Sequence, residues 1–266
     1  MNKKLMLCAA LLTGAFSSFA EAGDTAKKSD FSLTVGLKGW YKDFATSTTW
    51  QGDRANNTNV LYADSDAKLS AIPNLTLKWR DFFATGSYFI PSDYDFNLGK
   101  NYFANDPVGY DIKAKGKRSD YDLSLGYMIL PNVGAALGYK QVKQDWHLSV
   151  SRAGALVTEI DSKATLSGPF AGLILIAPLM DQFTLIGNLA YGLGMEWKYE
   201  PSTPKDKASY ISTELSAVYR PSAMPQLGLQ MGYKYQSIDT NFKMIYGDAT
   251  GPDTTKGPFL GLSYTM

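Results

Sequence analysis

The stretch FSLTVGLKGWY, residues Phe31 to Tyr41, decides the fold. Its odd positions read Phe31, Leu33, Val35, Leu37, Gly39 and Tyr41, and its even positions Ser32, Thr34, Gly36, Lys38 and Trp40. Successive side chains of an extended chain point to opposite faces, so this period of two marks a strand with one apolar and one mostly polar face. The same alternation returns at Tyr121, Leu123, Leu125, Tyr127 and Ile129, then at Val133, Ala135, Leu137 and Tyr139. Further on it returns at Leu185, Gly187, Leu189, Tyr191, Leu193, Met195 and Trp197, and at Leu227, Leu229, Met231, Tyr233 and Tyr235. No long segment has helical periodicity, so the chain reads as all-β.

Two kinds of connection separate the strands. Four are short and contain proline: Ile72-Pro73-Asn74, Leu130-Pro131-Asn132, Ala177-Pro178-Leu179-Met180-Asp181 and Met224-Pro225-Gln226. Proline fixes φ and removes a ladder donor, so each predicts a tight turn. The others are long and polar, at Ala45–Thr58, Pro91–Ser119, Gln144–Ser162, Glu200–Ala208 and Asp239–Gly257. Strict alternation of short turns with long loops is the pattern of a transmembrane β-barrel, with short periplasmic turns, long extracellular loops and both termini on the periplasmic side. Four short turns then give a closed antiparallel barrel of ten strands, with eight or twelve as the alternatives. The expected strands are 31–44, 59–71, 74–90, 119–130, 133–147, 163–176, 183–199, 208–220, 227–238 and 258–266.

A soluble barrel turns its apolar face inward and a membrane barrel turns it outward. The face opposite the apolar one carries Lys38, Lys78, Arg80, Asp122, Lys140, Glu196, Lys198, Glu214, Arg220 and Lys234, a charge density suited to a lumen. Aromatic residues sit near the ends of the apolar face, Tyr41, Tyr121, Trp197, Tyr199 and Tyr235 on the loop side and Tyr127, Tyr219 and Tyr264 on the turn side. The run Phe31–Tyr41, at about 3.3 Å per residue and about 40° of tilt, rises on the order of 25 Å, the height of an outer-membrane apolar band. The apolar face is therefore expected to meet lipid.

Lys3 and Lys4 precede the apolar segment Leu5–Phe19, which ends in Ala20-Glu21-Ala22, the order of a secretory signal peptide. Residues 1–22 are expected to be the signal and 23–266 the barrel domain. Removing 1–22 takes away Lys3, Lys4 and Glu21 and leaves 24 basic and 24 acidic residues, so no excess charge points to nucleic acid. The one cysteine, Cys8, lies in the signal and His147 is the one imidazole, so neither disulfides nor the usual zinc, iron or copper sites are expected.

At the end of the chain Leu260, Leu262, Tyr264 and Met266 alternate to the last residue. This resembles the C-terminal strand of Gram-negative outer-membrane β-barrel proteins, by which the class is recognised for assembly. The class has an aromatic final residue where this chain has Met266. The resemblance implies the outer membrane as location, with its lipid, lipopolysaccharide and assembly machinery as partners.

Membrane barrels of this size also resemble the omptin proteases, and others are phospholipases or lipid A deacylases. Such enzymes hold a histidine against a nucleophile or water. The inventory here is Asp145-Trp146-His147-Leu148-Ser149, with Asp145, His147 and Ser149 on one face of a strand. One histidine is thin support, so no catalytic residue, cofactor or enzymatic activity is expected. The carboxylate pairs Asp64/Asp66, Asp93/Asp95 and Asp120/Asp122 lack the glycine-punctuated spacing of a calcium loop. The basic run Lys113–Arg118 reads as a solvated loop or a contact for phosphates.

The leading functional expectation is a narrow pore or passive channel for small solutes. On the inward face Lys38, Lys78, Arg80, Lys140, Lys198, Arg220 and Lys234 face Asp122, Glu196 and Glu214, which predicts a weak anion preference. The alternatives are a non-conducting structural barrel, since side chains can fill so narrow a lumen, and an adhesin or receptor acting through long extracellular loops. A hydrolase ranks last.

Overall fold

The computed structural model describes residues 30–51, 58–101, 110–200, 205–244 and 247–266; the expected signal peptide lies outside the described residues. They form twelve strands: β1 (Phe31–Gln51), β2 (Thr58–Asp64), β3 (Lys68–Trp79), β4 (Phe82–Asn101), β5 (Tyr110–Leu130) and β6 (Val133–Arg152), then β7 (Ala155–Met180), β8 (Phe183–Gly192), β9 (Met195–Glu200), β10 (Lys205–Tyr219), β11 (Leu227–Met244) and β12 (Gly247–Thr265). All pairings are antiparallel. Apart from β2 with β3 and β8 with β9, strands adjacent in the chain pair with one another, and β12 pairs back onto β1 from Thr34↔Thr265 to Trp50↔Ala249, so hydrogen bonding runs round a ring. Two ring positions are each occupied by two segments. β3 pairs with the first part of β1 and β2 with its last part. Likewise β8 and then β9 lie between β7 and β10.

Exposure decides which face meets lipid. On β5, Tyr121, Leu123, Leu125, Tyr127 and Ile129 are exposed, while Asp120, Asp122, Ser124 and Met128 are buried. Leu125 is 67% exposed, Leu137 66% and Leu260 67%. Large apolar side chains exposed on strand after strand form a band no water-soluble surface carries, whereas lipid favours it. The apolar face points outward, as expected.

Several boundaries differ from the sequence reading. Pro73 lies inside β3, exposed on its outward side, and the turn falls at Arg80-Asp81, with Arg80 at φ 54°. The β3–β4 ladder runs from Trp79↔Phe82 to Asn74↔Ser87 and stops beside Pro73, which lacks the donor to continue it. The stretches expected as long loops are largely strand. β1 continues to Gln51, β4 to Asn101, and β6 and β7 form one ladder closed by the two residues Ala153-Gly154. The cause is an inversion of the hydrophobic pattern along one strand. Beyond Tyr121, β5 exposes Lys117, Lys115 and Lys113 and buries Gly116, Ala114 and Ile112. The outward face changes from apolar to charged at the edge of the band while the alternation continues.

The interior is filled in layers along the axis. Nearest the short turns, Phe83, Met128, Ala136, Ile174, Ile176, Ile186 and Val218 form an apolar layer. At the other end Phe44, Tyr94, Phe96 and Ala114 pack with Trp146 and Leu148, with Phe44–Tyr94 ring centroids 5.2 Å apart and Phe96–Trp146 5.3 Å. Between these layers are the buried charges.

Candidate functional site

β1 carries Lys38 and Lys42 inward because both share the parity opposite Leu37 and Tyr41. Lys38 Nζ donates to Glu214 Oε1 of β10 at 2.7 Å, with side-chain exposures of 3% and 0%. Lys140 Nζ on β6 donates to Asp122 Oδ1 at 2.7 Å and lies 3.3 Å from Asp120 Oδ2. Arg118 grips Asp120 with two bonds of 2.9 Å, Nε to Oδ1 and Nη2 to Oδ2, and reaches Thr255 Oγ1 at 2.6 Å and Gln236 Oε1 at 3.0 Å. One guanidinium thereby ties β5 to β11 and β12 across the interior. Nearby, Gln144 Nε2 donates to Asp253 Oδ2 at 3.1 Å; burial lifts the Asp253 carboxyl above its ordinary range, and bonds from Thr46 and Gln144 partly offset this.

Lys42 and Lys234 are held largely by aromatic faces. Lys42 Nζ is 3.2 Å from the Phe89 ring centroid, 5.0 Å from Tyr94 and 5.3 Å from Trp40, and Lys234 Nζ is 5.2 Å from Trp40. A cation over a ring face is attracted by its quadrupole, most strongly away from water. Lys234 also stands opposite Glu214 in the β10–β11 ladder.

Of the residues expected to line a lumen, Lys38, Asp122, Lys140, Glu214 and Lys234 meet in this layer. Arg220 is buried at the turn end, where Nη1 donates to the Pro225 carbonyl at 3.3 Å. Lys78 is half-buried near the end of β3. Three leave the lumen. Arg80 is in the turn, exposed, and bonded to Asp30. Glu196 and Lys198 are exposed on the outer side, Lys198 Nζ 2.7 Å from Glu200 Oε1, while Met195 and Trp197 point inward. The cause is Gly194 at φ 63°, which shifts the alternation by one residue between β8 and β9. Sequence reasoning missed Lys42, Arg118, Asp120, Gln144, Gln236 and Asp253. The signal was present, since Arg118, Asp120 and Asp122 keep one parity along β5.

A second constellation occupies the outward face of the wall beyond the apolar band. A cavity of about 1070 Å³ spans the neighbouring strands β4 to β7 and β9, lined among others by Asp93, Lys115, Lys117, His147, Asp161 and Lys163. His147 Nδ1 is 2.7 Å from Asp161 Oδ1, and Ser149 Oγ is 3.4 Å from His147 Nε2. The expected partner Asp145 is not the one the imidazole meets. Asp161 stands directly opposite His147 in the β6–β7 ladder, whereas Asp145 stands opposite Lys163.

No known protein family matches the sequence, and no curated protein matches it. Solved structures do. The outer membrane protease OmpT from Escherichia coli aligns with a TM-score of 0.61 at 14% identity, covering 88% of this chain and 97% of that one. The translocator domain of the autotransporter NalP from Neisseria meningitidis aligns at 0.41 and 7% identity, covering 86% of this chain and 88% of that one. The attachment invasion locus protein Ail of Yersinia pestis aligns at 0.32 and 10% identity, over 88% of this chain and 98% of that one. The fold is that of a Gram-negative outer-membrane β-barrel. With its outward apolar band, the chain belongs in the outer membrane.

Proposed function

We propose that the chain is a closed, ten-stranded, non-conducting barrel whose working surface is the part of the wall that extends outside the cell. The count takes β2 with β3 and β8 with β9 as one wall strand each, since each pair fills one ring position. Short turns face the periplasm and the extended strands face outward, as in the class at large. Lipid and lipopolysaccharide surround the wall, and β12 is the strand offered to the assembly machinery.

The observation that carries this reading is the buried ionic layer, in which Lys38, Arg118 and Lys140 are each bonded to a carboxylate between two apolar layers. Ion permeation needs a hydrated path along the axis; here the charges face one another and the ends are packed. The anion-preferring pore expected from sequence requires these groups to line water instead. Planar-bilayer recording of the refolded protein separates the two. The sealed reading expects no unitary steps above detergent background, and anion-selective steps would restore the pore.

A further inference from the structure

We propose that Ser149, His147 and Asp161 form a hydrolytic site on the outer wall, acting on a carboxylic ester carried by an anionic molecule on the water side of the membrane. The proposal is independent of whether the lumen conducts. Ser149 and His147 are two residues apart on the outward parity of β6, so the imidazole lies along the strand toward the hydroxyl. Its Nδ1 is turned to the neighbouring strand, where Asp161 accepts from it at 2.7 Å. A carboxylate at Nδ1 fixes the proton there and leaves the Nε2 lone pair facing Ser149 Oγ, at 3.4 Å. This is the tautomer a general base needs. Glu159 Oε1, 3.9 Å from Nε2, adds a second carboxylate that stabilises the imidazolium once formed.

The flanking strand supplies the opposite charge. Lys113 stands directly across the β5–β6 ladder from Ser149 and Lys115 across from His147. Cross-strand partners have Cβ atoms about 5 Å apart, so the flexible side chains of two lysines are rooted within reach of the place where negative charge grows on a carbonyl attacked by Ser149. The same lysines attract an anionic substrate into the adjoining cavity. Height selects the compartment. From Tyr139, the last apolar residue on this face of β6, eight residues lead to His147, a rise of about 20 Å at about 3.3 Å per residue and about 40° of tilt. Acyl chains within the bilayer are out of reach.

In the first step Ser149 Oγ bonds to the ester carbonyl carbon, its proton passes to His147 Nε2, and the carbonyl π pair moves to oxygen beside Lys113. Collapse expels the alcohol, which takes the proton from Nε2–H and leaves an acyl-serine. Water then attacks the acyl carbon as its proton goes to Nε2. The acid departs, and Ser149 recovers its proton from the imidazolium. The sum is ester plus water giving acid plus alcohol.

The test uses the refolded barrel in detergent and a fluorophosphonate probe, read by intact mass and peptide mapping. A single adduct at Ser149 is expected, absent in Ser149→Ala. His147→Ala should slow its formation by about 10²- to 10⁴-fold, with recovery on adding imidazole, and Asp161→Asn should slow it with partial rescue by Asp161→Glu. Wild-type protein should hydrolyse 4-nitrophenyl hydrogen succinate in preference to 4-nitrophenyl butyrate, and Lys113→Ala should reduce the preference. His147 and Asp161 side chains are 42% and 85% exposed, so these variants should fold, which the heat-dependent gel shift checks. No adduct at Ser149, or an adduct formed as fast in His147→Ala, would overturn the proposal.

Discussion

Removing Glu214 tests the sealed interior most directly. Lys38 Nζ and Glu214 Oε1 are 2.7 Å apart and both side chains are almost wholly buried. At an effective dielectric constant of about 20 the attraction at that distance is about 6 kcal/mol. Desolvating two ions offsets most of it, so the intact pair contributes little net stability. Stranding one partner is different. Glu214→Leu removes the carboxylate to which Lys38 Nζ donates and should cost about 3–5 kcal/mol, while Lys38→Met leaves Glu214 opposite Lys234 and should cost less. The double variant replaces the pair with apolar groups of similar volume and should recover part of that loss, since it also takes Glu214 away from Lys234, a coupling of about 1 kcal/mol or more. Urea unfolding of protein refolded into lipid vesicles, followed by tryptophan fluorescence, measures all four corners. If Glu214→Leu alone lies within about 1 kcal/mol of wild type, or the double variant recovers nothing, Lys38 is hydrated and the sealed layer is wrong.

Three further outcomes follow from the same structure. Leu125→Arg, on the outward face of β5, should cost about 2–4 kcal/mol in bilayers, while Lys115→Leu on the same face beyond the band should change stability by no more than about 0.5 kcal/mol; equal effects would mean that Leu125 does not face lipid. Ala153 and Gly154 have φ of 51° and 83° in the β6–β7 turn, so Ala153→Asn, giving Asn-Gly, should stabilise by about 1 kcal/mol in the same assay. Burial raises the Asp253 carboxyl in the folded state, so its ionised form destabilises the fold at neutral pH and the penalty lessens as pH falls through the raised value. Asp253→Asn should therefore be more stable than wild type at neutral pH, with the difference shrinking on acidification, and a difference that grows in acid contradicts this.

Much of the wall was legible in the sequence because lipid and a polar interior impose opposite chemistry on alternate residues. Tyr121 to Ile129 could be read as one lipid-facing row from the letters alone. What could not be read was the level at which the environment outside the wall changes. Beyond Tyr121 the outward residues are lysines, and Lys113–Arg118 looks like a solvated loop although its even positions are buried. Pro73 misled for a related reason, since a proline inside a strand is compatible with continued pairing to one neighbour, here β1, while the ladder to the other stops. Glu196 and Lys198 were assigned inward because letters do not reveal that Gly194 adopts a left-handed conformation and shifts the phase. Asp161 could not be paired with His147 without the register of a hairpin whose turn was hidden in polar sequence.

That hairpin bears on how the molecule meets its surroundings. Extracellular proteases cut backbone that can be drawn out, single and extended, into their clefts. From Gln144 to Arg152 and from Ala155 to Ser162 the backbone is committed to neighbouring strands apart from a bulge at Val157, leaving Ala153 and Gly154 at the apex. A stretch as polar and as rich in small residues as a flexible loop is thereby withheld from digestion, and shaving intact cells should spare it.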